Sequence, residues 1–149
     1  MSLTTPSADS TAISVGLALL RVIIGAVFVA HGAQKIFANT IPGTVTAFTS
    51  MGVPFASLVA PVVSILEFAG GALLILGLAT RPAGILLGCE MIGAIIVVHL
   101  PAGPWVSNGG YEFAAALGAA ALTLALTGAG KYSLDYLFLR RSSRTIRSL

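Results

Sequence analysis

The side chains best suited to chemistry in this 149-residue sequence are two histidines and a glutamate: His31, His99 and Glu112. An imidazole can donate or accept a proton near neutral pH, and a carboxylate beside it can do the same. Such groups can exchange protons and hydrogen bonds with a quinone head group, or they can bind a metal ion. Because the three residues are widely separated in sequence, the metal signal is weak and no metal site is predicted. We take the three as candidate catalytic residues.

Four more residues are expected at the same level of the molecule. Lys35 lies one helical turn after the first histidine, while Trp105, Asn108 and Tyr111 lie between the second histidine and the glutamate. We take these four as candidate residues for binding a head group. Tryptophan alone would indicate a membrane interface, and either histidine alone is best explained as a hydrogen-bonded interfacial side chain. Their coincidence at one depth is what favours a site.

Three other ionisable residues interrupt apolar segments: Arg21, Glu67 and Glu90. A charge at the centre of a bilayer costs about 3 kcal/mol on insertion scales, so such residues normally face the protein interior and find partners. We predict a buried ion-pair network in which Arg21 pairs with one or both glutamates. One cation against two carboxylates leaves a surplus negative charge, so one glutamate is expected to be protonated at neutral pH. The alternative is an ion pair that only fixes which helices pack together.

The composition indicates what surrounds these residues. Hydrophobic residues make up 56% of the chain and charged residues only 9%, whereas an ordinary soluble domain is about one quarter charged. A soluble domain of this size buries roughly two thirds of its surface and covers the rest with polar groups. This chain has too few polar groups for that, so we predict an integral membrane protein.

Four apolar segments predict the fold class, an all-α membrane bundle of four helices. About 20 helical residues cover the hydrocarbon core of a bilayer, and a short interfacial helix is expected around Val45–Met51 between the first two spans. The predicted spans cover about residues 13–36, 58–78, 83–100 and 111–127.

The two ends of the chain differ in composition from this membrane domain, which we place at residues 13–136. Residues 1–12 are rich in Ser and Thr and are expected to form a disordered tail. Residues 137–149 form a basic tail that contains four arginines. A basic tail after the last apolar segment is typical of a cytoplasmic anchor near anionic lipid, so no nucleic-acid binding is predicted.

Small residues mark the faces along which the helices are expected to touch. At about 100° per residue, Arg21, Gly25 and Lys35 share one side of the first span. Glu67 and Gly71 likewise share one side of the second. Small residues let helix backbones approach closely in lipid, so the charged faces are also expected to be packing faces. The third span carries a GxxxG pattern at Gly84 and Gly88.

The basic residues also predict the orientation, because positively charged loops stay in the cytoplasm. With four spans, Arg81, Lys131 and the four terminal arginines share one side of the membrane, whereas the other side holds only Lys35. Both termini are therefore predicted to be cytoplasmic. The single cysteine, Cys89, excludes an intrachain disulfide and a CxxC redox pair.

One conflict arises within the third span. Glu90 and His99 are nine residues apart, so in a regular helix they point about 180° away from each other. Both can face one pocket only if the helix ends or bends before His99. Pro101 makes such an ending plausible, since the residue before a proline is pushed out of helical geometry.

Three runs of sequence carry a family resemblance: LRVIIGAVFVAHGAQKIF, EFAGGALLILGLATRPAG and HLPAGPWVSNGGYEFAAAL. In this order they resemble the DoxX family of small four-helix bacterial membrane proteins, over about residues 15–135. The positions that match the family pattern are Arg21, His31, Gly32, Lys35, Glu67, Gly70, Gly71, Arg81, His99, Gly109, Gly110 and Glu112.

The resemblance implies a multi-pass protein of the bacterial inner membrane with a quinone-linked redox role, or a subunit role beside a redox partner. DoxD and DoxA form a thiosulfate:quinone oxidoreductase, and other relatives are linked to oxidative-stress and thiol-redox complexes. No flavin, NAD or iron-sulfur motif is present. The cofactor stays open at this point, with a quinone as the candidate that the resemblance offers. Two alternatives are a non-catalytic accessory subunit of a larger membrane complex and a small transporter or proton pathway.

Overall fold

The computed structural model describes residues 10–138, and that part of the chain is helical with no strand. This confirms the all-α class. Helix α1 includes the last three residues of the predicted N-terminal tail; the rest of that tail, and residues 139–149 of the basic tail, lie outside the described residues. The α-helices that form the bundle are α1 Ser10–Ala33, α2 Ile41–Ser50, α3 Ala56–Leu76, α4 Thr80–Ala94 and α5 Glu112–Thr127, and residues 134–138 are also helical.

Three continuous helical stretches are long and apolar enough to cross a membrane: Thr11–Ala38, Ala56–Leu76 and Thr80–Ala102. They agree with the first three predicted spans. The fourth apolar helix, α5, has only 16 residues, which corresponds to about 24 Å. It ends at Gly128, whose positive φ of 82° stops the helix. Three spans are thus shown by length and composition, and the fourth stays a prediction.

The short helix predicted between the first two spans is present as α2, which begins four residues earlier than expected. Its N-cap residue Thr40 accepts a hydrogen bond from the Gly43 amide through its hydroxyl oxygen, 3.4 Å away. Ten residues span only about 15 Å, so α2 cannot cross a bilayer. It packs against α3 and against the end of the first helical stretch.

Glycines bring the helices together in two pairs, α1 with α3 and α4 with α5. A Cβ atom added at Gly25 of α1 would lie 2.6 Å from the carbonyl oxygen of Gly71 of α3. A Cβ atom at Gly84 of α4 would lie 2.6 Å from the carbonyl oxygen of Ala121 of α5. These contacts leave no room for a side chain, which confirms the packing faces predicted from the small residues.

Leucines fill the centre of the molecule, and leucines also cover its outside. Leu74, Leu87 and Leu124 have no exposed surface, yet Leu19 is 60% exposed and Leu126 is 79% exposed. Apolar side chains on both the inner and the outer faces are expected when the surrounding solvent is hydrocarbon.

Candidate functional site

Five of the ionisable residues selected from the sequence line one cavity of about 310 Å³. It lies at the end of the helices opposite Ser10, between α1, α3, α4 and α5, and α2 covers it with Phe48 and Met51. We call it the charged cavity. Its ionisable residues are His31, Lys35, Glu67, Glu90 and His99, and its apolar walls include Val63, Met91, Ala94, Val98, Phe113, Ala114 and Leu117.

The strongest contact in the charged cavity is an ion pair between Lys35 and Glu67. The Lys35 Nζ atom lies 2.5 Å from Glu67 Oε2, and the two side chains are 19% and 6% exposed. Lys35 is near the end of the first helical stretch, and helical side chains lean back toward the N-terminus. Its ammonium group therefore reaches into the bundle. The Thr44 hydroxyl of α2 donates to the Lys35 carbonyl oxygen at 3.0 Å, which ties α2 to this turn.

Glu90 adds a second carboxyl group to the ion pair. Its side chain contacts the carboxyl group of Glu67 and lies within the electrostatic influence of Lys35. Its Oε2 atom is buried and has no hydrogen-bond partner among the described residues. Two carboxyl groups can contact each other in this way only if they share a proton, because two bare carboxylates repel. Glu90 thus presents one polar atom that the residues around it leave unsatisfied.

A change of helix type resolves the conflict between Glu90 and His99. The α4 helix continues as a π-helix over Ile95–His99 and then as a 3-10 turn over Leu100–Ala102. A π-helix uses i→i+5 hydrogen bonds and has a wider turn than the 3.6 residues of an α-helix, so each residue advances by less than about 100°. The accumulated difference turns His99 toward the side of Glu90, and both line the charged cavity.

The two histidines are held by different contacts. His99 Nδ1 lies 2.7 Å from the Gly109 carbonyl oxygen, and since a carbonyl only accepts, Nδ1 carries the proton. The Nε2 atom is then the nitrogen left to a ligand. The His31 ring lies 5.8 Å from the Phe113 ring at an angle of 55°. This contact places His31 against α5, across the cavity from α3.

Arg21 does not belong to this cluster, so its predicted pairing with the glutamates is wrong. Its NH1 atom donates to the Ala129 carbonyl oxygen at 3.2 Å, and its NH2 atom donates to the Tyr132 carbonyl oxygen. Arg21 lies at the middle of α1, and its long side chain leans back toward the N-terminal end of that helix. It therefore reaches the segment after α5 instead of the membrane centre. The cation that pairs with Glu67 is Lys35 and not Arg21.

Four of the residues predicted around the two histidines do not line the charged cavity: Trp105, Asn108, Tyr111 and Glu112. Glu112 is exposed, and its Oε1 atom accepts a hydrogen bond from the Val106 amide at 2.7 Å, so it holds the loop before α5. Trp105 is 63% exposed, and Asn108 is exposed as well. Trp105 and Asn108 lie on the loop before α5, outside the charged cavity.

The sequence reasoning missed Asp135, which organises the end of the molecule opposite the charged cavity. Its two carboxylate oxygens accept hydrogen bonds from the amides of Ala79 at 2.8 Å and Thr80 at 3.0 Å. An acidic group at a helix N-terminus satisfies amides that have no partner within the helix. Asp135 therefore caps α4 from a distant segment. Its signal in the sequence was a single acidic residue inside the otherwise apolar run YSLDYLF.

No group of three His, Cys, Asp or Glu residues within residues 10–138 could hold a metal ion. The charged cavity instead combines one ammonium group, two carboxyl groups and two imidazoles with apolar walls. This arrangement suits a small flat molecule that accepts hydrogen bonds and exchanges protons. Fold and cavity together define a helical membrane protein with a charged cavity at one end.

The chain belongs to the DoxX family, whose model matches residues 16–100. The match covers most of α1, all of α2 to α4, and all five ionisable residues of the cavity, of which His99 lies next to the end of the match. No solved structure matches the chain.

Three curated relatives share this similarity over most of their lengths. "Putative oxidoreductase CatD" of Bacillus subtilis is 40% identical over 121 residues, which cover 81% of this chain and 85% of the relative. "Uncharacterized membrane protein Rv3486" of Mycobacterium tuberculosis is 30% identical over 83% of this chain and 82% of the relative. "Inner membrane protein YphA" of Escherichia coli is 29% identical over 80% of this chain and 87% of the relative.

Proposed function

We propose that this protein is a multi-pass inner-membrane subunit of a redox system and that its charged cavity binds the head group of a quinone. The observation that carries the proposal is the convergence of Lys35, Glu67, Glu90 and two histidines in one cavity with apolar walls. The names of two relatives, an oxidoreductase and an inner membrane protein, support the redox role and the location.

The residues present fit the chemistry of a quinone ring. Its carbonyl oxygens accept hydrogen bonds, for which the Lys35 ammonium group and the His31 imidazole offer donors. The His99 Nε2 atom can accept a hydrogen bond from a hydroxyl of the reduced ring. The flat apolar face of the ring suits walls such as Met91, Phe113 and Leu117. The cavity of about 310 Å³ is at the lower end of the about 300–1,000 Å³ typical of small-molecule sites, so it has room for one ring.

When bound, a quinone supplies a two-electron, two-proton couple. The protein's part is to hold and move the protons. The carboxyl groups of Glu67 and Glu90 lie on one side of the cavity and share a proton in this proposal, and His99 Nε2 offers a second proton-exchanging atom. The sequence has one cysteine and no flavin or NAD motif, so in this proposal a partner protein supplies the electrons.

The proposal includes four spans with both termini in the cytoplasm. Arg81 and Lys131 then lie at the cytoplasmic face, in agreement with the positive-inside rule. The charged cavity lies at the other end of the helices, near the periplasmic face. The short α5 spans the membrane together with the irregular loop before it, which α4 and α5 hold in place.

Substitution of the histidines tests the proposed function. His31→Ala and His99→Ala should each lower quinone-dependent electron transfer in membranes by about tenfold or more, because each removes a group that exchanges protons with the ring. Thr123→Ala is a matched control, since Thr123 is exposed and bonds only to its own helix at Ala119. Unchanged transfer in both histidine variants, at equal protein levels, would refute the proposal.

An accessory role without chemistry is the second candidate, and the lack of a redox centre within the sequence favours it. It predicts stable co-purification with another subunit in mild detergent and no bound quinone. A proton pathway across the membrane has less support. Fully buried Leu74, Leu87 and Leu124 fill the interior between the charged cavity and Arg21.

A further inference from the structure

A second cavity of about 290 Å³ adjoins the charged cavity. It lies between α2, the loop before α3, and the side of α4 that carries Gly93. Its walls are apolar except for one residue, Glu90, and we call it the apolar cavity. Five residues line both cavities: Phe48, Val63, Glu90, Ala94 and Val98.

The apolar cavity reaches the outer surface of the helices. Val97 belongs to its lining and is 40% exposed, and its neighbour Ile96 is 62% exposed. In a membrane these side chains face hydrocarbon. A molecule whose ring occupies the charged cavity can therefore extend an apolar chain past Glu90 and Val98, through the apolar cavity and into the bilayer.

We propose that the apolar cavity binds the hydrocarbon chain of the same ligand whose head group occupies the charged cavity. The ligand class is then a lipid-soluble quinone with a long chain, and a ring without a chain is a poor ligand. This inference rests on the proposed function, because it assigns the chain of a quinone to a place beside the ring. Glu90, at the junction, contacts the part of the ring from which the chain extends.

Gly93 offers a direct test because it lines the apolar cavity and a Cβ atom built on it has no heavy atom within 4 Å. A leucine at this position enters the cavity without displacing the backbone. Gly16 of α1 is the matched control, since its Cβ position is equally open and it lies far from both cavities. Gly93→Leu and Gly16→Leu therefore add the same side chain to a helix, and only Gly93→Leu obstructs the proposed site.

The experiment measures the affinity of purified protein, at one detergent concentration, for two probes that share a benzoquinone ring. One probe has no chain and the other carries a decyl chain. The decyl probe partitions into detergent to the same extent with every variant. This partition therefore does not affect the difference in affinity between one variant and another. Gly93→Leu should weaken binding of the decyl probe by about tenfold or more, because an overfilled cavity excludes the chain. The ring-only probe should bind Gly93→Leu and wild type equally, and Gly16→Leu should match wild type with both.

The outcomes separate this inference from the proposed function. Equal weakening of both probes in Gly93→Leu, or no weakening of either, would overturn the chain assignment while ring binding to wild type still upheld the proposed function. If neither probe bound wild type, the proposed function would fail and the inference with it. Val97→Phe provides a second obstruction at the mouth of the cavity, should Gly93→Leu not fold, and the same selective loss is expected.

Discussion

Lys35 balances the charges of the whole cavity. Among residues 10–138 it is the one cation paired with Glu67, and Glu90 contacts the same carboxyl group. A lone carboxylate in a buried site loses hydration that no neighbour replaces. The ion pair therefore has a structural role as well as the proposed role in binding.

Removal of Lys35 alone should destabilise the protein more than removal of the whole pair. Lys35→Met leaves Glu67 without its cation, and we expect a loss of about 2 kcal/mol or more in unfolding free energy. The double variant Lys35→Met with Glu67→Gln should recover most of that loss. Thermal or denaturant unfolding in a fixed detergent gives both values. Equal stability of the single variant and the wild type would show that the pair contributes nothing.

Charge counting also predicts a protonated carboxyl group in the cavity at pH 7. One ammonium group neutralises one carboxylate, and the second carboxyl group avoids repulsion by keeping its proton. Infrared spectra of the protein in lipid should show the carbonyl band of a protonated carboxyl group, and Glu90→Gln should remove it. Spectra in which both side chains are ionised at pH 7 contradict this charge state.

Most of the candidate residues could be selected from the sequence, but the sequence did not show which of them lie together in the folded protein. His31, Lys35, Glu67, Glu90 and His99 all stood out as polar residues within or beside apolar segments. They appeared to form two separate groups, one at mid-membrane and one at the outer end. The two groups merge because the long Lys35 side chain extends back along the helix to Glu67. Arg21 extends in the same direction, so it reaches the segment after α5 and lies apart from the glutamates. A long flexible side chain can shift its charge by a helical turn or more, and residue spacing does not record that shift.

At the scale of helices, glycines set how closely the backbones approach. Gly25 of α1 and Gly71 of α3 face each other with no space for a methyl group. In lipid the packing of such surfaces replaces the hydrophobic effect as the cause of helix association. The pairing of α1 with α3, which positions Lys35 opposite Glu67, thus depends on residues that have no side chain.

Gly25→Ala should separate these two helices. The added methyl group would lie 2.6 Å from the Gly71 carbonyl oxygen, so the backbones must move apart, at a cost of about 1–3 kcal/mol. Gly16→Ala on the same helix meets no atom within 4 Å and should be neutral or slightly stabilising, because alanine favours helix. Unfolding measured on both variants distinguishes packing from helix propensity. Equal effects of the two would exclude a tight α1–α3 contact.

The π-helical turn is the element that hydrophobic periodicity could not reveal. Residues 95–98 are Ile, Ile, Val and Val, so every helix phase looks equally apolar there. The proline after Leu100 suggested an irregular ending, but the rotation comes from the turn before it. The existence of α1, α3 and α4 followed from length and composition, whereas the orientation of His99 required the actual backbone.

Insertion of one alanine after Ile96 should rotate His99 by about 100° around the helix axis and turn it away from Glu90. The expected result is a folded protein with unchanged helix content by circular dichroism and a loss of quinone affinity of about tenfold or more. Ile96→Ala keeps the residue count and is the control, since Ile96 is largely exposed. Quinone affinity that survives the insertion would mean that His99 has no part in binding.

For the whole molecule, the apolar composition predicted a membrane protein with few charges inside, and family membership agrees with it. Three spans follow from helix length, while the fourth depends on α5 and the loop beside it. The distribution of arginines and lysines predicts that both termini are cytoplasmic. Single cysteines introduced at Ser107 and Tyr132, which are both exposed, in a Cys89→Ser background test this. A reagent that cannot cross membranes should label the first from the periplasm and should not label the second, and the reverse pattern would invert the topology.

The central claim is that the charged cavity holds a quinone, and its most direct test is the quinone content of the purified protein. Wild type and His99→Ala would be purified in native lipid patches, extracted, and assayed by mass spectrometry for quinone per polypeptide. The wild type is expected to carry close to one long-chain quinone per chain, and His99→Ala is expected to lose most of it. Wild-type protein that carries phospholipid but no quinone above the level of the surrounding membrane would contradict the claim.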